Sequence, residues 1–281
     1  MTVLARSSSV ALGRLPRPGT VLAGGFVALV VLAAVAPGLL TSDTPTQIDL
    51  TNALAPPSWE HPFGTDEAGR DLLTRVIHGT GLSLGIGLGA TGVSMALAIV
   101  LGAAAALAGG VVDTLITRLL EVTFAFPSLL AALLIVAVFG PSVTTSIVAV
   151  GVGSMPGYAR MVRGQVLAVK ESGYIEAAHA LGHRPWRVFR QHLLPNAMRP
   201  LVAVVTLGVG QSIVWASSLA FLGLGVPPPS PEWGALLDAG RGYITTSWWL
   251  AIMPGLVIVL FAVAVTSLGR TLQQRLEGAA R

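Results

Sequence analysis

The charged residues of this chain are gathered into short clusters, and the stretches between them are long and apolar. Residues 18–42, 76–112, 122–159, 200–231 and 242–269 contain no Asp, Glu, Lys or Arg. A helix needs about 20 apolar residues to cross the hydrocarbon core of a bilayer, and every one of these stretches is long enough. Of the 281 residues 53% are hydrophobic and only 11% charged, with a mean hydropathy of +0.75. A soluble domain of this length could not bury that much apolar surface. A soluble enzyme, a disordered chain and a nucleic-acid module are therefore excluded. What remains is an all-α integral membrane protein.

The stretch 122–159 is too long for one span, and Gly140-Pro141-Ser142 in its middle reads as a turn. Splitting there gives six transmembrane helices. Charge placement favours the split. With the N-terminus in the cytoplasm, only Arg70, Arg75 and Arg241 fall outside, and the other 14 of the 17 Lys and Arg lie inside. That distribution satisfies the positive-inside rule. Without the split, the basic segment from Arg160 to Arg199 would lie outside. The expected layout is a cytoplasmic tail at 1–19, a first span at 20–41 and an extracytoplasmic segment at 42–79. A core of five spans follows at 80–270, then a cytoplasmic tail at 271–281. Ala34-Val35-Ala36 resembles a signal-peptidase site, but Pro37 would follow the cut, so an uncleaved anchor is expected. Trp59, Trp233, Trp248 and Trp249 are expected at the outer boundary, where indoles favour the membrane interface.

Several chemistries are absent. The chain has no cysteine, which removes disulfides, thiolate metal sites and cysteine nucleophiles. Its one lysine, Lys170, stands between Val169 and Glu171, so there is no phosphate-binding loop. Gly87, Gly89 and Gly92 form a G-x-G-x-x-G, but inside an uncharged run with no preceding strand. Together with Gly81 and Gly85 they read as small residues for close helix packing. His179 and His183 are four apart, a metal pair without a third ligand, so no metal site is expected.

Three connections carry pattern. In the outer segment, HPFGTDEAGRDLLTRVIHG (61–79) suggests a short amphipathic helix, capped by Thr65 with Asp66 and Glu67 in its first turn. On the inner side, the loop 164–198 suggests two short helices. Ile175, Ala178, Ala180 and Leu181 form one apolar face, and Gly182 permits a sharp turn. Pro185 opens the second helix; Val188, Phe189, Leu193 and Leu194 form its face, and Pro195 ends it. Arg184, Arg187 and Arg190 suit either anionic lipid or a protein partner. In the outer loop 226–247, a proline-rich start precedes a short helix near 232–240, expected to lie in the interface.

The spacing of Glu176-Ala177-Ala178, Gly182 and Leu194-Pro195 is similar to the EAA loop of bacterial ABC importer permeases. That pattern is Glu-Ala-Ala, three residues, Gly, nine residues, Ile, one residue, Leu-Pro; His192 stands here at the isoleucine position, with Leu193 beside it. HPFGTDEAGRD (61–71), FAFPSLL (124–130) and SLAFLGLGVPPPSPEWG (218–234) extend the likeness over roughly residues 20–275. The chain thus resembles the dipeptide/oligopeptide/nickel permease family, in particular its "C" subunits. The resemblance implies a type I ABC importer permease fold in the bacterial cytoplasmic membrane, with both termini cytoplasmic. It implies a homologous "B" permease as partner, two ATPase subunits beneath and an extracytoplasmic substrate-binding protein above. The chain itself would be non-catalytic and bind no cofactor, with ATP and Mg held on the ATPases. Glu176, Ala177, Ala178, Gly182, Arg184 and Pro195 would couple it to them.

Spans three to six are expected to line the substrate path. Gln211, Ser212, Trp215 and Ser218 give the fifth span a polar stripe, while Phe124 and Phe126 flank Pro127 in the third. Such residues serve either a path or interhelical hydrogen bonds. The alternative function, an ion-coupled secondary transporter, commonly needs an intramembrane acid, and no span carries one.

Overall fold

The computed structural model describes residues 18–278. Of the expected tails, Arg6, Arg14, Arg17 and Arg281 lie outside those residues. The regular elements of the described residues are all helical, with a single isolated bridge between Thr65 and Asp71 and no strand. Its helices are α1 (Pro18–Val35), α2 (Leu72–Ala108), α3 (Gly110–Ala125), α4 (Ser128–Phe139), α5 (Val143–Lys170), α6 (Gly173–Ala180), α7 (Pro185–Val188), α8 (Leu194–Leu219), α9 (Trp233–Arg241) and α10 (Trp249–Gly278).

Among the described residues four helices are long and apolar enough to cross a membrane: α1, α2, the continuous run Pro185–Leu224 and α10. The pair α3 and α4, bent by 86° at Phe126-Pro127, makes a fifth if it crosses as one span. The bend has a local cause, because proline bars the helical conformation at the residue before it, and Phe126 is extended at φ −79° and ψ 126°. α5 has the length, 28 residues, but Thr144, Thr145, Ser146, Ser154 and Arg160 dilute its apolar content. The turn expected at Gly140-Pro141-Ser142 separates α4 from α5. Ser142 caps α5 by accepting the Thr145 N–H at 3.0 Å.

α2 and α5 form the central seam. Alanines there are fully buried, among them Ala90, Ala98, Ala149 and Ala159. A β-carbon on Gly102 would lie 2.5 Å from the Ala159 carbonyl oxygen, and one on Gly151 would meet Val93 at 2.9 Å. Small residues let the backbones touch, the means by which helices associate in lipid. Gly81, Gly85 and Gly89, spaced four apart as a small-residue face, meet different surroundings: Gly81 faces α1, Gly89 meets Ile147 of α5, and a β-carbon on Gly85 would meet nothing within 4 Å; Gly87 meets Ile213 of α8. Large exposed apolar side chains cover the outside, such as Leu22 and Val35 on α1, Leu134 and Val138 on α4, and Val259 and Val263 on α10.

The amphipathic helix expected within 61–79 is not a separate element. Residues 61–71 form an irregular loop, and Leu72, Leu73 and Val76 open the first turns of α2, whose cap is Asp71, accepting the Thr74 N–H at 2.7 Å. Gly64 and Gly69 adopt φ of +75° and +72°, which breaks any helix through them. Thr65 does not cap; it accepts the Ala55 N–H. Asp66 does not sit in a solvated first turn either. It is 2% exposed, and its carboxylate accepts from the Arg70 Nε–H at 2.7 Å and from the Arg75 guanidinium at 2.6 Å. Arg75, 4% exposed, also donates to the Pro229 carbonyl at 3.3 Å.

The segments 42–71 and 226–247 therefore form one cap. Glu232, 3% exposed, accepts from Ser83 at 3.0 Å and caps α9 through the N–H groups of Gly234 and Ala235. Trp233 and Trp249, expected at the membrane interface, are instead core residues. Their indole N–H groups donate to the carbonyls of Val76 at 3.0 Å and Thr65 at 3.2 Å; of the four tryptophans expected there, Trp59 and Trp248 are exposed. α9, expected in the interface, is anchored inward by Trp233 and Leu236. A β-carbon on Gly79 would lie 1.8 Å from the Pro231 carbonyl oxygen. Gly79→Ala should therefore destabilise the chain by about 1–3 kcal/mol, the usual cost of overpacking. A thermal-unfolding midpoint equal to that of the wild type would contradict this packing.

Candidate functional site

Two sites emerge, an exposed elbow and a cavity. The elbow follows α5. After Lys170 the chain turns into α6, whose Ile175 and Ala178 are buried against Val166, Val188 and Leu193. α6 then ends in a Schellman motif. The Gly182 N–H donates to the His179 carbonyl at 2.9 Å and the His183 N–H to the Ala178 carbonyl at 3.1 Å. Gly182 takes φ +74° to close it, as its place in the sequence suggests. Pro185 opens α7 after the cap residue Arg184. The bend is thus fixed by hydrogen bonds on one side, proline on the other and a shared apolar core beneath.

The outward surface differs from the expectation in two places. Ala180 and Leu181, assigned to the inner face, point outward, with Leu181 77% exposed. With α6 only eight residues long, its inward stripe narrows to Ile175 and Ala178. Pro195, expected to end the second helix, sits near the start of α8 in one continuous run. The turn Phe189–Leu193 is π-helical, with the Leu194 N–H donating to the Phe189 carbonyl. The Asn196 side chain donates to the His192 carbonyl at 2.6 Å. The wider turn makes room for the proline ring that an α-helical turn would clash with. Glu176, Ala177, Arg184 and Arg190 are exposed, and Glu176 makes no ion pair among the described residues. Trp186, 68% exposed, stacks on Phe189 with ring centroids 5.5 Å apart; the sequence reading gave it no role. An exposed surface combining one acid, several arginines and bare Leu181 and Trp186 fits a protein partner better than water alone.

His179 and His183 are not brought together as a metal pair. The His183 ring stacks on His192, centroids 5.9 Å apart. Among the described residues no group of three or more His, Asp or Glu is arranged to hold a metal ion.

The cavity, about 500 Å³, lies where α3, α4, α5 and α8 meet. It gathers four of the expected path residues, Phe124, Phe126, Gln211 and Trp215, with Tyr158 and Met161 of α5. The 86° bend is what turns Phe124 and Phe126 towards it. α3 is held on α5 by Arg163, whose guanidinium grips Asp113 through two hydrogen bonds of 2.6 Å. The other two expected path residues lie elsewhere. Ser212, 2% exposed, accepts the Thr91 hydroxyl at 3.0 Å and joins α8 to α2. Ser218 donates to the Val214 carbonyl and borders a second, apolar hollow with Phe221 and Val259. Arg160 does not line the first cavity but lies against a residue that does: its guanidinium is 3.8 Å from the centroid of the Phe124 ring.

Residues 98–278 match the family described as "Binding-protein-dependent transport system inner membrane component". The dipeptide transport system permease protein DppC of Alkalihalophilus pseudofirmus is 38% identical over 247 residues, spanning 88% of this chain and 81% of that protein. The glutathione transport system permease protein GsiD of Pectobacterium atrosepticum is 38% identical over 258 residues, 92% of this chain and 86% of that protein. Among solved structures, the inward-facing MetNI methionine ABC transporter aligns at TM-score 0.59 and 17% identity, over 73% of this chain and 97% of that one. An amino acid ABC transporter aligns at TM-score 0.59 and 16% identity, over 72% of this chain and 94% of that one. At these identities the structural matches speak to the fold.

Proposed function

Because the chain belongs to the family of binding-protein-dependent transport system inner membrane components, we infer that it is the half of an ATP-driven importer that admits peptides. It is a multi-pass, non-catalytic permease subunit, and its ATP is hydrolysed on other chains. We assign it six spans, counting α3 with α4 as the third and α5 as the fourth, with both termini in the cytoplasm. Its inner side then carries 14 of the 17 basic residues. A homologous permease would supply the other half of the path, two ATPases with ATP and Mg would sit beneath, and a substrate-binding protein would deliver from outside. Di- or oligopeptides are the proposed cargo, drawn from the relatives named for dipeptides, with glutathione, itself a small peptide, in the same chemical class.

One observation carries the reading. A Glu-Ala-Ala helix, bent at a positive-φ glycine and seated on the core between α5 and α8, is built to pass a push from below into two spans. A flexible loop would absorb it. Ion-coupled secondary transport has no support among the relatives or structural neighbours described above.

The absence of cysteine gives a direct test. Leu181→Cys would be the chain's only thiol, placed on the outward side of the elbow. In the assembled complex it should form a cross-link to the ATPase subunit with a short bifunctional thiol reagent, and should resist a membrane-impermeant thiol reagent applied to intact cells. Labelling from outside the cell would overturn both the topology and the docking assignment.

A further inference from the structure

The cavity holds four of the expected path residues, and a cation sits against one of them. Arg160 is exposed, and among the described residues it makes no ion pair and no hydrogen bond. Arg163 of the same helix and Arg118 of α3 are committed elsewhere, to Asp113 and Glu121. The guanidinium lies over the Phe124 ring at 3.8 Å. In that position the aromatic face satisfies the flat side of the cation, while its N–H edge stays available. A guanidinium edge donates two parallel hydrogen bonds to a carboxylate, which a point charge cannot match.

The cavity beside Arg160 suits an anionic end on an otherwise variable guest. Its walls are aromatic or apolar at Phe126, Met161 and Trp215 and neutral polar at Tyr158 and Gln211; no Asp or Glu lines it. An ammonium group brought near Arg160 would be repelled, and a carboxylate attracted. Every peptide with a free C-terminus carries that carboxylate, whatever its side chains.

We propose that Arg160, held on Phe124, is a specificity residue that binds the C-terminal carboxylate of the peptide as it passes through this cavity. The inference rests on the peptide-permease reading above and goes beyond it by naming the group recognised and the residue that recognises it.

The test uses the permease–ATPase complex in lipid nanodiscs without the binding protein, so that protein's own selectivity does not enter. The probe is a dipeptide of diazirine-bearing leucine and alanine with a free carboxylate. On illumination it should label the cavity segments of α3 and α5. Excess leucyl-alanine should suppress labelling about tenfold or more, the scale of a charge-assisted hydrogen-bond pair, while leucyl-alanine amide should compete far less. Arg160→Gln should erase the difference between the two competitors, and Arg160→Lys, which keeps charge but not the fork, should restore part of it. Equal competition by acid and amide in the wild type, absence of competable labelling, or a difference that survives in Arg160→Gln overturns the proposal. ATP-dependent uptake by the wild-type complex with its binding protein is measured in parallel. Uptake with no carboxylate discrimination rejects the role of Arg160 alone, whereas failure to import any peptide rejects the reading beneath it.

Discussion

Replacing Gly182 by proline should nearly abolish ATP-driven uptake while leaving the chain in the membrane. Proline is fixed near φ −65°, and this position requires +74°. The substitution also removes the N–H that closes the Schellman motif on His179. Together these cost about 3 kcal/mol or more, which shifts the equilibrium away from the correctly bent elbow by about a hundredfold. The elbow lies outside the spans, so insertion should be normal. ATP hydrolysis should continue and no longer be matched by import. Gly182→Ala is the graded companion. It keeps the N–H and pays about 1–2 kcal/mol for the left-handed backbone, so uptake should be reduced and measurable. Glu176→Lys tests the surface rather than the bend. It reverses the one acid on the exposed side of α6 without touching the Schellman motif, and should uncouple in the same way if that acid meets a basic group on the ATPase. Import at the wild-type rate by Gly182→Pro in reconstituted vesicles would sink the assignment of the elbow as the coupling element.

Asp66→Ala should be the most damaging single change for stability. The carboxylate accepts from two arginines and from the backbone N–H groups of Ala68 and Arg70. Its removal strands Arg75, 4% exposed, as a buried charge facing only the Pro229 carbonyl. Breaking one side of a buried pair costs about 3–5 kcal/mol, a large part of the roughly 5–15 kcal/mol that holds an ordinary domain folded. The variant should accumulate poorly in membranes and unfold at a clearly lower temperature in detergent. Asp66→Leu with Arg75→Leu should lose less than the two single changes summed, because neither charge is then left alone. Equal thermal midpoints for Asp66→Ala and the wild type would show that the outer cap is not held by this pair.

Much of the architecture was legible because lipid leaves so few choices. Uncharged runs of sufficient length became helices, and the Gly140-Pro141-Ser142 turn fell where local chemistry placed it. Gly182 and Pro185 were readable for the same reason, since each imposes a backbone angle regardless of its neighbours. What escaped were contacts made across the sequence. Asp66 followed by Glu67 has the look of a helix start, and only the approach of Arg75 and the loop carrying Pro229 makes Asp66 a buried hub. Trp233 and Trp249 look like interfacial anchors until the carbonyls of Val76 and Thr65 are seen to receive their N–H groups. Phe124, Phe126, Gln211 and Trp215 line one cavity. Ser212 and Ser218 do not, because a stripe on one helix cannot say which neighbour it faces. Arg160 was visible only as a charge count until its position over Phe124 was known. Pro195 was read by the ordinary rule for α-helices, and a π-helical turn is the exception to that rule.

The central claim is that this chain conducts peptides only when ATP is hydrolysed by partners acting on its elbow. The most direct measurement is uptake of a labelled dipeptide into proteoliposomes holding both permeases and the ATPases, with the binding protein outside and ATP sealed inside. The account predicts accumulation that requires internal ATP, is indifferent to proton and sodium gradients, and disappears in Gly182→Pro. Accumulation driven by an ion gradient without ATP, or ATP-driven accumulation that persists in Gly182→Pro, would contradict it.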